Sequence, residues 1–89
     1  MRPICVPCGR FFKPAKNGFN FTEGMPPTGN APPDEWVPYK IWSGDRYECS
    51  TCGANIIVGV GASPISEHYH EDFEHNRRIL EADQFQVNG

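Results

Sequence analysis

The apolar positions of this chain come in short bursts separated by glycine- and proline-rich stretches, and only the last third carries a helical spacing. Arg10-Phe11-Phe12-Lys13 predicts a short strand, residues 14–18 a turn with Asn17-Gly18 at its tip, and Phe19-Asn20-Phe21-Thr22 the returning strand. Phe19 and Phe21 sit two apart, so they share one strand face and are candidates for the core. Residues 24–38 hold Pro26, Pro27, Pro32, Pro33 and Pro38, a density that denies both helix and ladder and predicts an ordered excursion with Trp36 as its anchor in the core. A second hairpin is expected from strands at 39–42 and 46–48 about a Ser43-Gly44-Asp45 turn. Residues 54–59, with Ile56, Ile57 and Val58, are the most β-prone run and predict the central or most buried strand. Ser63-Pro64 offers an N-cap and first-turn proline, and Ile65, Tyr69, Phe73 and Leu80 recur at four, four and seven residues, predicting a helix over 64–82 with the last six residues frayed.

The expected fold is therefore a small α+β domain. Residues 1–62 form an antiparallel β-sheet domain with the excursion at 24–38, and residues 63–89 a helical segment packed on it. Eighty-nine residues with nine glycines and nine prolines lie near the size at which an apolar core alone gives a marginal fold, so a staple is expected.

The cysteines supply the candidate staple. All four fall in two pairs of one form, Cys5-Val6-Pro7-Cys8-Gly9 and Cys49-Ser50-Thr51-Cys52-Gly53. Two intervening residues turn both sulfurs of a pair toward one point, and two such pairs facing each other make the four thiolates of a tetrahedral Zn²⁺ site. Gly9 and Gly53 can adopt a positive φ that lets backbone N–H groups turn toward the sulfurs. Such a Zn(Cys)₄ site has no open position for water, so its role is structural. A disulfide framework is the competing staple. No apolar export segment precedes Cys5, however, and no apolar run of about 18 residues occurs, which gives the expectation of a reducing, cytoplasmic setting with no membrane association.

The other candidate ligands are histidines. On a helix, His68, Asp72 and His75 would share a face with the spacing for a second metal, against the plainer reading of a solvated face with Glu67, Glu71 and Glu74. No acid, base and nucleophile constellation stands out, so no catalysis is expected. Gly59-Val60-Gly61 lacks the third glycine and the lysine of nucleotide loops and reads as a tight exit from a strand.

The formal charge is −3. Residues 1–46 hold six basic and four acidic side chains, whereas residues 47–89 hold two and seven. Bound Zn²⁺ with four thiolates would take the total to about −5, which argues against a general grip on phosphates.

The paired CxxCG knuckles, each continuing into a predicted hairpin, resemble the zinc-ribbon class, although 40 residues separate Cys8 from Cys49 where compact sites have about 15 to 20. The resemblance implies recognition of nucleic acid or protein partners. Met1-Arg2-Pro3-Ile4-Cys5, Glu23-Gly24-Met25-Pro26, residues 39–45 and residues 57–62 are similar to short proteins encoded by bacteriophages and prophages, which implies a bacterial host cytoplasm. Pro33-Asp34-Glu35-Trp36-Val37 resembles the segment before the second cysteine pair of rubredoxins, but twelve residues intervene here between Trp36 and Cys49.

The function expected from these features is a non-enzymatic zinc-binding interaction protein. Its acidic end would engage a host or phage protein, as an inhibitor or adaptor of nucleic-acid machinery, and no small-molecule substrate is implied. The alternatives are direct nucleic-acid binding through Arg2, Arg10, Lys13, Lys16, Lys40 and Arg46 with Phe11, Phe12 and Trp42, and rubredoxin-like electron transfer.

Overall fold

A computed structural model describes residues 2–89. Its elements in chain order are strands β1 (Ile4–Cys5), β2 (Arg10–Phe11), β3 (Lys13–Met25), β4 (Val37–Glu48), β5 (Asn55–Val58) and β6 (Ser66–Glu67), helix α1 (Phe73–Ile79) and strand β7 (Gln86–Asn88), with 3-10 turns at Pro33–Glu35 and Ala82–Gln84. β1 and β2 form a two-stranded ribbon, and a second sheet runs β5-β4-β3-β7 with β6 also paired to β4. The β1–β2, β4–β5 and β4–β6 pairings are antiparallel and β3–β7 is parallel, so the purely antiparallel sheet expected above becomes a mostly antiparallel one. Met1–Phe19 with Gly44–Val60 gather into a first compact unit, and Asn20–Ser43 with Gly61–Gly89 into a second; β3 and β4 contribute residues to both.

Neither long strand breaks where its glycine predicts a turn. Gly18 takes φ +68° and donates its N–H to Asp45 Oδ1 at 3.3 Å, and β3 runs on through it to Met25. The partner of the short strand at Arg10–Phe11 is instead β1, with Ile4 opposite Phe11 and Cys5 opposite Arg10. β4 likewise passes straight through Ser43-Gly44-Asp45. Gly44 is buried there, and a Cβ on it would lie 2.8 Å from Ile57 Cγ2 and 3.0 Å from Val58 O. This glycine serves the close approach of β5 rather than a chain reversal.

β5 forms as a strand but occupies the sheet edge, and its apolar residues are half-buried rather than central. It pairs β4 from Asp45↔Val58 to Glu48↔Asn55, and Gly59, at φ +67°, turns the chain away from it. The irregular excursion shortens to residues 26–36. Trp36 is half-buried and closes this loop on itself, its indole N–H donating to Ala31 O at 3.0 Å, instead of inserting into the core.

The helix predicted over 64–82 is reduced to α1. The cause lies in β4, whose open carbonyls take the N–H groups of Ile65 (to Ile41 O, 2.7 Å) and His68 (to Tyr39 O, 2.7 Å), so Ser66–Glu67 are drawn into the sheet. This path buries Ser66 and leaves Ile65 and Tyr69 exposed, against the helical stripe. α1 ends at Ile79 with Leu80 as its C-cap, and the left-handed Glu81 (φ +54°) follows. The last residues are docked, not frayed: β7 lies parallel to β3 with Thr22 opposite Gln86, Phe85 O accepts the Thr22 N–H at 3.0 Å, and the Phe85 ring meets that of Phe21 at 6.1 Å.

The core of the second unit is Ile41, Phe73 and Ala82, with Leu80 against them. Burial of side chains the size of Ile41 and Phe73 contributes about 1.5–3 kcal/mol each. Phe21 and Thr22 are buried in that unit too, and Phe19, Cys5 and Cys49 in the first. The core positions predicted for Phe19 and Phe21 are thus the observed ones.

Candidate metal centre

Each cysteine pair sits on a turn tied by its own glycine. At the first, β1 delivers Cys5, and the Gly9 N–H donates to Cys5 O at 2.8 Å with Gly9 at φ +63°. The turn then re-enters the ribbon through β2. At the second, β4 ends beside Cys49, the Gly53 N–H donates to Cys49 O at 2.9 Å with Gly53 at φ +77°, and the Cys49 N–H donates to Ala54 O at 2.8 Å, which starts the chain back toward β5. Only glycine takes these φ values without a Cβ clash, which is the physical content of the G in CxxCG.

The two turns place the four sulfurs within 4.8 Å of one another. Cys5 Sγ and Cys52 Sγ are 3.9 Å apart, and a tetrahedron with Zn–S bonds of about 2.3 Å has edges of about 3.8 Å. All four are free thiols in this arrangement. Cys5 and Cys49 are buried, Cys8 is half-buried and Cys52 exposed. The donor set fits a tetrahedral thiolate-bound metal, with the inner pair of sulfurs shielded from water.

Local electrostatics prepare one sulfur for deprotonation. The backbone N–H groups of Cys52 and Thr51 point at Cys49 Sγ and bring its thiol down to about 6, outweighing burial. Cys8 is pushed up to about 12, chiefly by its hydrogen bond with Cys52 and then by burial. At Cys5 the Cys8 N–H pulls the thiol down, but burial and the neighbouring thiols together leave it raised. Four sulfurs this close cannot all ionise without a cation among them, so the Cys49 thiolate forms readily while Cys5 and Cys8 await a metal.

The second metal candidate does not assemble. His68 lies beyond β6, Asp72 is the N-cap of α1 and His75 is within it, all exposed. Among the described residues, the cysteines are the one group of three or more such side chains that brings its ligand atoms together.

The proposed nucleic-acid cations also divide. Lys40 pairs with Glu67 at 3.9 Å, Arg46 donates to Asn55 Oδ1 at 2.7 Å, and the Trp42 indole donates to Glu23 at 2.8 Å. Arg2 stacks over Phe11 at 3.9 Å, while Arg10, Lys13 and Lys16 stay exposed.

A further surface group escaped the sequence reading. The rings of Tyr39, His68, Tyr69 and His70 touch in succession, at 6.1, 5.6 and 4.6 Å between centroids. The available signal was the alternation of His68-Tyr69-His70, which favours a strand-like path over a helix. No family model, curated protein or solved structure matches the chain. Among the described residues no helix is long and apolar enough to cross a membrane.

Proposed function

We propose that the chain is a non-enzymatic interaction protein: a zinc-ribbon-like scaffold stapled by one Zn²⁺ on Cys5, Cys8, Cys49 and Cys52, which binds a protein partner through its acidic second unit. The observation that carries this reading is the partition of charge. The first unit holds five basic and two acidic side chains, a formal +3, and the second holds three and nine, a formal −6. With four thiolates and Zn²⁺ in place, the first unit falls to about +1, too weak for a general phosphate grip, while the second keeps its full negative field. Four sulfur ligands close the coordination sphere, which confines the metal to a folding role. The resemblance to phage and prophage proteins favours a partner in the bacterial cytoplasm, and an acidic surface there would compete for sites that otherwise bind nucleic acid.

The test is affinity capture from bacterial lysate with zinc-loaded protein, beside oligonucleotide titrations on the same preparation. The expected result is a defined protein partner, lost when Glu67, Glu71, Asp72 and Glu74 are changed to their amides. Salt-sensitive oligonucleotide binding with no captured protein overturns the proposal and favours the second reading, direct nucleic-acid binding by the first unit. That second reading rests on the exposed Arg10, Lys13 and Lys16 and on the Arg2–Phe11 stack. Stoichiometric iron in red, as-purified protein would favour the rubredoxin-like alternative.

A further inference from the structure

We infer that the ring strip Tyr39, His68, Tyr69 and His70 is the docking surface for the partner, and that it takes an arginine- or lysine-bearing peptide segment. The inference rests on the protein-binding reading above and specifies its contact.

Two features mark the strip as a binding surface. The rings of His68, Tyr69 and His70 are exposed and that of Tyr39 is half-buried; Tyr69 is 66% accessible although its ring contacts two others. Three of its four rings are also held in place. The Tyr39 hydroxyl donates to Glu23 Oε2 at 2.8 Å, the Tyr69 hydroxyl donates to Glu67, and His70 Nδ1 accepts the Glu67 N–H at 3.1 Å. The carboxylate partners raise both phenols above their ordinary value, so both tyrosines keep their proton. Rings fixed before binding lose little freedom when a ligand arrives.

Charge chooses the occupant. The strip lies in the unit of formal charge −6, and the exposed Glu71 and Asp72 follow directly on His70. A phosphate backbone would be repelled. A guanidinium or ammonium group would meet both the faces of tyrosine rings and nearby carboxylates. The protein already shows this contact within itself, because Lys40 Nζ lies 5.4 Å from the centroid of the Tyr39 ring and 3.9 Å from Glu67 Oε1. Lys40 therefore occupies part of the surface an incoming cation would use, and its removal should open that part.

The experiment uses the full zinc-loaded chain and an octa-arginine peptide, with octa-glutamate and single-stranded oligothymidylate as comparisons. Binding is followed by amide chemical shifts in NMR titrations at low and moderate salt. Octa-arginine should bind, weaken with salt, and shift the amides of residues 67–70 most. Tyr69→Ala should weaken it about threefold, and Tyr69→Ala with His68→Ala about tenfold, the size expected of exposed cation–π contacts. Lys40→Gln should tighten binding several-fold. Arg78→Gln, which removes an equal charge from an exposed cation of the same unit, should do so by less than twofold. The inference is overturned if Arg78→Gln matches Lys40→Gln, if Tyr69→Ala has no effect, or if oligothymidylate binds the strip in place of the peptide. A partner captured as described above that still binds Tyr69→Ala protein would refute the strip while leaving the protein-binding reading intact.

Discussion

Gly44→Ala separates two accounts of the middle of the chain. If residues 43–45 formed a hairpin turn, a methyl group at 44 would project into solvent and cost little. In the observed strand it would lie 2.8 Å from Ile57 Cγ2 and 3.0 Å from Val58 O. The first neighbour is a β-branched side chain with restricted χ1 and the second is backbone, so neither yields by simple rotation. Overpacking of this kind costs about 1–3 kcal/mol. Against it stands the lost freedom of the unfolded chain, which favours alanine by about 0.4–1 kcal/mol. The net expectation is a loss of about 1–2 kcal/mol, or roughly 5–15 °C in Tm for a domain of this size. Gly29→Ala is the matched control, because nothing lies within 4 Å of its Cβ position and its φ is not left-handed. Thermal and urea melts of the zinc-saturated wild type and both variants provide the measurement. Equal stability of Gly44→Ala and Gly29→Ala would refute the continuous strand.

Other expectations follow from the same geometry. Chelation, or Cys49→Ser, should abolish the cooperative melt, since apparent zinc-binding energies of about 10–16 kcal/mol match or exceed the stability of a small domain; circular dichroism showing a full apo fold would overturn the structural role. Metal binding at pH 7.5 should release protons from Cys5 and Cys8, whose thiols are raised, but little from Cys49, which is lowered to about 6. Affinity should therefore fall as pH drops, and more steeply once pH passes below about 6 and Cys49 also takes a proton, as calorimetry in buffers of different ionisation heat would reveal. Ile41→Val removes one methylene from a fully buried position and should cost about 0.5–1.5 kcal/mol in urea melts. Glu81→Gly relieves a left-handed non-glycine residue at the end of α1 and should stabilise the protein by about 0.5–1 kcal/mol, with a lower Tm as the opposing result.

The features legible in the sequence were those set by a few adjacent residues. CxxCG fixes its own turn, so the knuckles and the positive φ of Gly9 and Gly53 follow from local chemistry alone. The burial of Phe19 and Phe21 was legible too, through period-two spacing. The errors arose where a distant strand decided the outcome. Asn17-Gly18 and Ser43-Gly44-Asp45 carry turn chemistry, yet Gly18 is held inside β3 by Asp45 and Gly44 leaves room for Ile57. The spacing of Ile65, Tyr69, Phe73 and Leu80 satisfies a helix until β4 offers Tyr39 O and Ile41 O to the same segment. The docking of the C-terminus depends on the carbonyl of Phe85 meeting Thr22, some 60 residues earlier, for which no local signal exists.

The continuous β4 contributes residues to both units. The strand supplies Tyr39 and Lys40 near its start and ends one residue before Cys49. Its pairing with β6 spans Lys40 and Ile41, and its pairing with β5 spans Asp45 to Glu48. A turn at 43–45 would have placed these pairings on separate strands. The partition of charge depends on the fold in the same way. The two halves of the linear sequence differ by seven formal charges, but the two folded units differ by nine, because residues 20–43, with their excess of acids, join the acidic C-terminal segment while residues 44–60 join the cysteine unit.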